Sequence, residues 1–69
     1  MNRNPVSSTN ITSIGYDPQS MTMEIEFASG TVYQYFDVPD TVHAEFMSSD
    51  SKGQFFGNQI KGGYRFARV

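Results

Sequence analysis

The sequence predicts an α+β fold: a small antiparallel β-sheet in the order βββααβ, with two short helices packed on one face. Three observations predict it. Apolar residues alternate with polar ones from Met21 to Phe27, and a β-branched and aromatic run returns from Thr31 to Phe36. After Asp37, Val38, Val42 and Phe46 fall four apart. From Tyr64 to Val69 the alternation resumes. A period of two marks a half-buried strand, and a spacing near four marks one face of a helix.

Met1 to Asn10 is polar and reads as a flexible terminus ending in an extended arm. The domain proper is expected over residues 11–69. Ile11 to Tyr16 reads as a first strand, with Ile14 and Tyr16 on one face. Asp17-Pro18-Gln19-Ser20 is a turn, since Asp suits its first position and Pro presets φ at its second. The Met21 strand follows directly, so the first three strands form a meander.

Ala28-Ser29-Gly30 separates the hairpin arms. Gly at the third loop position suits a three-residue turn ending in a left-handed conformation. That turn sets Phe27 opposite Thr31, Ile25 opposite Tyr33 and Met23 opposite Tyr35. A two-residue Ser29-Gly30 turn would slip the pairing by one and divide the apolar set between two faces, so the first register is favoured.

Pro39 suits the first position of a helix, where no N–H is needed, and Asp40 suits the positive end of the macrodipole. The helix is predicted from Pro39 to Ser48, with Val38, Val42 and Phe46 as its stripe and Met47 beside it. Ser51 and Gln54 match a capping box, so a second helix is predicted from Lys52 to Lys61. Gly53 and Gly57 weaken it by about 1 kcal/mol each against Ala and suggest a close backbone approach. Gly62-Gly63 stops it. Tyr64 to Val69 is the last strand, at an edge, where basic side chains discourage further pairing.

Sixty-nine residues bound the chain to one domain of marginal stability. With no cysteine, no disulfide or thiolate metal site staples it; six Phe, four Tyr and four Met must carry the core. No apolar run resembles a signal peptide or a membrane span, so a soluble, cytoplasmic protein is expected. Asn10-Ile11-Thr12 matches a glycosylation sequon, which means little without a secretion signal. No nucleophile elbow, phosphate loop or dinucleotide fingerprint is present, and no cofactor is expected. Glu24 and Glu26 share a strand face, where a solvated polar surface is a better reading than an acid–base pair. His43 is the only histidine and reads as a surface helix position rather than a metal ligand.

At this point the residues resemble a known family. Gly15-Tyr16-Asp17, the alternation to Phe27, Gly30, Tyr33 and Tyr35, Val38-Pro39, the set Ser51, Gly53, Phe56, Asn58 and Ile60, and Tyr64 together look like the KTSC domain. The resemblance covers roughly residues 7 to 69. Each motif is short, but their order and spacing together are fairly specific. That family is named for its occurrence at the C-terminus of some lysyl-tRNA synthetases and also occurs as a single-domain protein in bacteria and phages. The resemblance implies no established reaction and a suggested role in RNA binding.

Two functional readings follow. The first is a non-enzymatic RNA-binding module. Residues 51–69 carry four basic side chains and no acid, which makes Lys52, Lys61, Arg65 and Arg68 the candidate phosphate contacts. Tyr33 and Tyr35 are the candidate base-stacking residues. Against this, same-face strand aromatics more often pack beneath helices, and the basic tail more often neutralises neighbouring acids. Lys61 to Val69 also has a faint likeness to the RNP1 stretch of RNA-recognition motifs, but the extra glycine and Arg65 break it. The second reading is a protein-interaction module, a small phage or mobile-element inhibitor or adaptor. Residues 1–50 carry seven acids against Arg3 alone, and this acidic surface would dock on a host protein.

Overall fold

The computed structural model describes all residues, Met1–Val69. Five strands form one antiparallel sheet in sequential order: β1 (Arg3–Pro5), β2 (Ile11–Asp17), β3 (Thr22–Phe27), β4 (Val32–Tyr35) and β5 (Phe66–Arg68). Between β4 and β5 lie helix α1 (Asp40–Ser48), the single turn α2 (Lys52–Phe55) and a π turn (Phe56–Ile60).

The hairpin has the predicted register, with Met23 opposite Tyr35 and Ile25 opposite Tyr33. Gly30 has φ 91° and its N–H donates to the Phe27 carbonyl, while the Phe27 N–H donates to the Thr31 carbonyl. Only a residue without Cβ adopts that left-handed geometry freely. In β2 the register shifts between Ile11 and Ser13, so Ile11 and Ile14 both reach the core although they are three apart. A bulge resets the alternation in this way.

Registers assign the faces. On the front, Ile14, Ile25, Tyr33 and Arg68 form one cross-strand row, and Tyr16, Met23, Tyr35 and Phe66 form the next. Ile11, Ile14, Met23, Ile25 and Tyr35 from the sheet pack with Val38, Phe46 and Ile60 from the helical segment, and these eight make the core. Phe46 and Phe55 stack with centroids 5.1 Å apart and join the two helices. The back face is polar.

Several elements differ from the sequence expectation. The N-terminal ten residues contain β1, so the order βββααβ lacks a strand. Its three residues carry no apolar alternation; it is held from the back face. Arg3 Nε donates to Ser13 Oγ, and its guanidinium pairs with Glu24 at 2.5 Å and Glu26 at 3.8 Å. Glu24 is 8% exposed and also accepts from Gln34, so these glutamates form a bonded network, not a solvated surface. Burial alone would raise the Glu24 pKa, but the bonds from Gln34 and Arg3 and the Arg3 charge together hold it below the ordinary range.

Met21 lies in the turn, with φ 54°, and β3 begins one residue later. The turn is held by Asp17, which accepts from the Gln19 N–H and the Ser20 hydroxyl. Pro39 sits just before the first helical residue. Ser51 caps α2 by accepting from the Gln54 N–H at 3.2 Å. Gly57 meets nothing within 4 Å and Gly53 only the Asn10 side chain at 3.4 Å, so neither marks a close backbone approach. His43 is half-buried, its ring stacked on Tyr16 at 4.5 Å and 8°, rather than on the open surface. The Tyr16 hydroxyl donates to the Val38 carbonyl, which ties the entry of α1 to the sheet.

Two predictions follow from this packing. A Cβ on Gly15 would sit 2.6 Å from the Asn2 carbonyl oxygen. Gly15→Ala is expected to lower stability by about 1–3 kcal/mol in denaturant titrations. It should also speed hydrogen exchange at Val6, whose N–H donates to Thr12 across the first loop.

Burial lowers the His43 pKa. The folded chain then binds fewer protons than the unfolded one as pH falls past about 6.5. This contribution is complete above that pH and is lost as pH falls through the lower folded value. The melting temperature should fall over that window, and His43→Phe, which keeps a ring on Tyr16 without titrating, should flatten the fall.

Candidate functional site

The helical segment covers the β2–β3 half of the front face and leaves the β4–β5 half open. Every β5 residue is exposed, with Phe66 at 57%. The result is a groove of about 430 Å³ lined by Phe27, Tyr33, Tyr35, Phe56, Phe66 and Lys61, with Ser29 and Thr31 at the hairpin end.

Its walls are a closed circuit of five aromatic rings. Phe27 meets Tyr33 at 5.9 Å, Tyr33 meets Phe66 at 5.7 Å and Phe66 meets Tyr35 at 5.6 Å. Tyr35 meets Phe56 at 5.7 Å, and Phe56 returns to Phe27 at 5.2 Å. Four of these contacts are edge-to-face, the arrangement that matches ring edge to ring face and adds about 0.5–1.5 kcal/mol per pair.

The π turn places the cation. The Lys61 N–H donates to the Phe56 carbonyl at 2.9 Å, a step of five residues. In an α-helix, side chains five apart diverge by about 140° around the axis. Widening the turn brings Phe56 and Lys61 to the same side, and both line the groove. π turns of this kind are frequent at functional sites.

The six residues singled out from the sequence divide into two groups. Tyr33, Tyr35 and Lys61 line the groove, and Arg68 lies opposite Tyr33 on the same face, exposed and without an ion pair. Tyr35 is core as well as wall, at 4% exposure, whereas Tyr33 is half-buried. Lys52 and Arg65 lie elsewhere. Lys52 Nζ donates to the Ser49 carbonyl beside a separate polar hollow formed by residues 7–10 and 50–54. Arg65 pairs with Asp37 at 2.6 Å and lies over the Phe36 ring. Sequence reasoning left out Phe27, Phe56 and Phe66. Phe27 and Phe66 stand at alternating positions that pointed to the front face. Phe56 carried no such signal, because its spacing to Ile60 fits an ordinary helix.

The Tyr35 hydroxyl makes no hydrogen bond within the protein; Tyr16 is the one tyrosine that does. Burial, and then the adjacent Tyr33, push the Tyr35 pKa above its ordinary value, so the group stays a protonated donor at neutral pH. No three His, Asp or Glu side chains gather as a metal-ligand set. No helix is long and apolar enough to cross a membrane.

A family model, the KTSC domain, matches residues 7–64. A lysine–tRNA ligase of Nostoc sp. is 43% identical over 54 residues, which is 78% of this chain and 10% of that protein. The chain thus spans about a tenth of the length of the synthetases it matches. A protein of Stutzerimonas stutzeri is 37% identical over 100% of this chain and 99% of its own. The crystal structure of a KTSC domain protein from Yersinia pestis superposes with TM-score 0.97 at 47% identity, covering 99% of this chain and 96% of that one.

Tyr16, Tyr33 and Tyr35 should respond differently to loss of the hydroxyl. Tyr16→Phe removes the bond to Val38 and should lower stability by about 1 kcal/mol. Tyr33→Phe and Tyr35→Phe should change it by no more than about 0.5 kcal/mol. Urea unfolding of the three variants checks the order.

Proposed function

The chain belongs to the KTSC domain family, and we propose that it is a non-enzymatic binding module whose ligand is RNA, engaged at the aromatic groove. One observation carries the reading: five aromatic rings form an open groove with Lys61 at its rim and Arg68 on the same face. Base–aromatic stacking contributes about 1–3 kcal/mol per base and tolerates any sequence. Cations beside it take the backbone phosphates. Similarity to a segment of lysine–tRNA ligases supports RNA as the ligand. The work of such a module lies in the cytoplasm.

Overall acidity does not oppose this, because the acids are not spread evenly. Glu24 and Glu26 are engaged by Arg3, and Asp37 by Arg65. Asp17, Asp40, Glu45 and Asp50 form no ion pair, and Asp40 and Asp17 lie close enough to Tyr16 to raise its pKa, after burial itself. That acidic end favours the second reading, a dock for a basic host protein.

Titration of the intact chain with a short single-stranded RNA at increasing salt tests the first reading. Binding through Lys61 and Arg68 alone predicts a log–log slope near roughly −1.4, whereas all four tail cations would give roughly −3. No binding at low salt removes RNA. Recovery of a nuclease-resistant protein complex that Asp17→Asn with Asp40→Asn abolishes would support the second reading instead.

A further inference from the structure

Resting on the reading of the groove as an RNA-contacting surface, we propose that it holds one unpaired nucleotide, the base against the aromatic wall with its polar edge on the Tyr35 hydroxyl and the phosphate at Lys61. Three observations lead there. The first is size: about 430 Å³ lies toward the small end of ligand pockets, roughly 300–1,000 Å³, and bounds the occupant to a single base rather than a run.

The second is the Tyr35 hydroxyl. The residue is 4% exposed, yet its O–H has no partner in the protein. No fully sealed side-chain polar atom in the molecule lacks a partner, so this hydroxyl keeps some contact with solvent, and the residue that carries it lines the groove. Once an occupant covers it, a hydroxyl there must be bonded or the site loses affinity. A purely apolar occupant, such as a leucine or phenylalanine side chain, would leave it unbonded. A base brings ring nitrogens and carbonyl oxygens at its edge and a π face for the walls.

The third is charge. The π turn brings Lys61 and Phe56 to the same groove, and Arg68 stands across from Tyr33 without an ion pair. The ligand class that is flat, apolar on its faces, polar at its edge and anionic at one end is a nucleotide. A cationic ligand, the usual guest of an aromatic cage, is repelled by the same two side chains.

The experiment is an NMR titration of the intact chain with the four ribonucleoside 5′-monophosphates. The matching nucleosides and inorganic phosphate are run as controls, with a short single-stranded RNA alongside. The monophosphates should shift the Phe27, Tyr33 and Phe66 ring signals saturably, nucleosides should bind about tenfold more weakly, and inorganic phosphate should leave the rings unmoved. Tyr35→Phe, which removes no bond within the protein, should keep the melting temperature. It should also weaken the monophosphates about three- to tenfold and unequally among the four bases. Lys61→Gln should bring monophosphates to the nucleoside level, and Lys61→Arg should restore the difference. Equal binding of nucleoside and monophosphate, or a Tyr35→Phe variant that binds all four as before, overturns the proposal. If the RNA still binds in that case, the broader reading stands; if monophosphates bind in the groove and the RNA does not, the broader reading alone falls.

Discussion

The structure depends on a mismatch between a sheet and its cover. Five strands at about 4.8 Å spacing make a face roughly 19 Å wide. The helical segment offers Phe46 and Ile60 as its fully buried side chains, together with Val38 just before α1. These close over β2 and β3 and reach Tyr35 on β4, but no β5 residue enters the core. The remaining width is filled by rings that lean edge-to-face on one another. The groove is what the cover leaves over, and all its ring walls but Phe66 also border the core.

The back of the sheet answers to a different force. Arg3 reaches across β2 to the β3 glutamates, with Ser13 and Gln34 completing the bonds. Removing one member of such a partly buried network leaves another charge poorly solvated, which makes the set act as a unit. It also settles part of the uneven charge: Arg3 and Arg65 sit beside Glu24, Glu26 and Asp37, which leaves Asp17, Asp40, Glu45 and Asp50 as the acids without an ion pair. The exposed Arg65–Asp37 pair contributes little to stability but withdraws Arg65 from the open face.

Much of this was legible in the sequence because it rests on local rules. The Met23–Phe27 alternation, Gly30 in its turn, Asp17-Pro18 and the Ser51 cap each act within a few residues. The parts that were not legible depend on residues far apart in the chain. β1 is held by an arginine paired with residues more than twenty positions away, and by a glycine at position 15 that makes room for Asn2. The π turn has the same i, i+4 spacing from Phe56 to Ile60 as an α-helix; the demand that Phe56 join the rings while Ile60 enters the core decides it. For Tyr33 and Tyr35 the sequence supports both a core and a surface reading, and the half-covered sheet makes the pair both.

The sequential strand order puts β1 and β5 on opposite borders of the sheet. A linker leaving after β5 would start beside Val32, at the hairpin end of the cleft, so a fusion partner on that side could shade or extend the cleft without altering the domain.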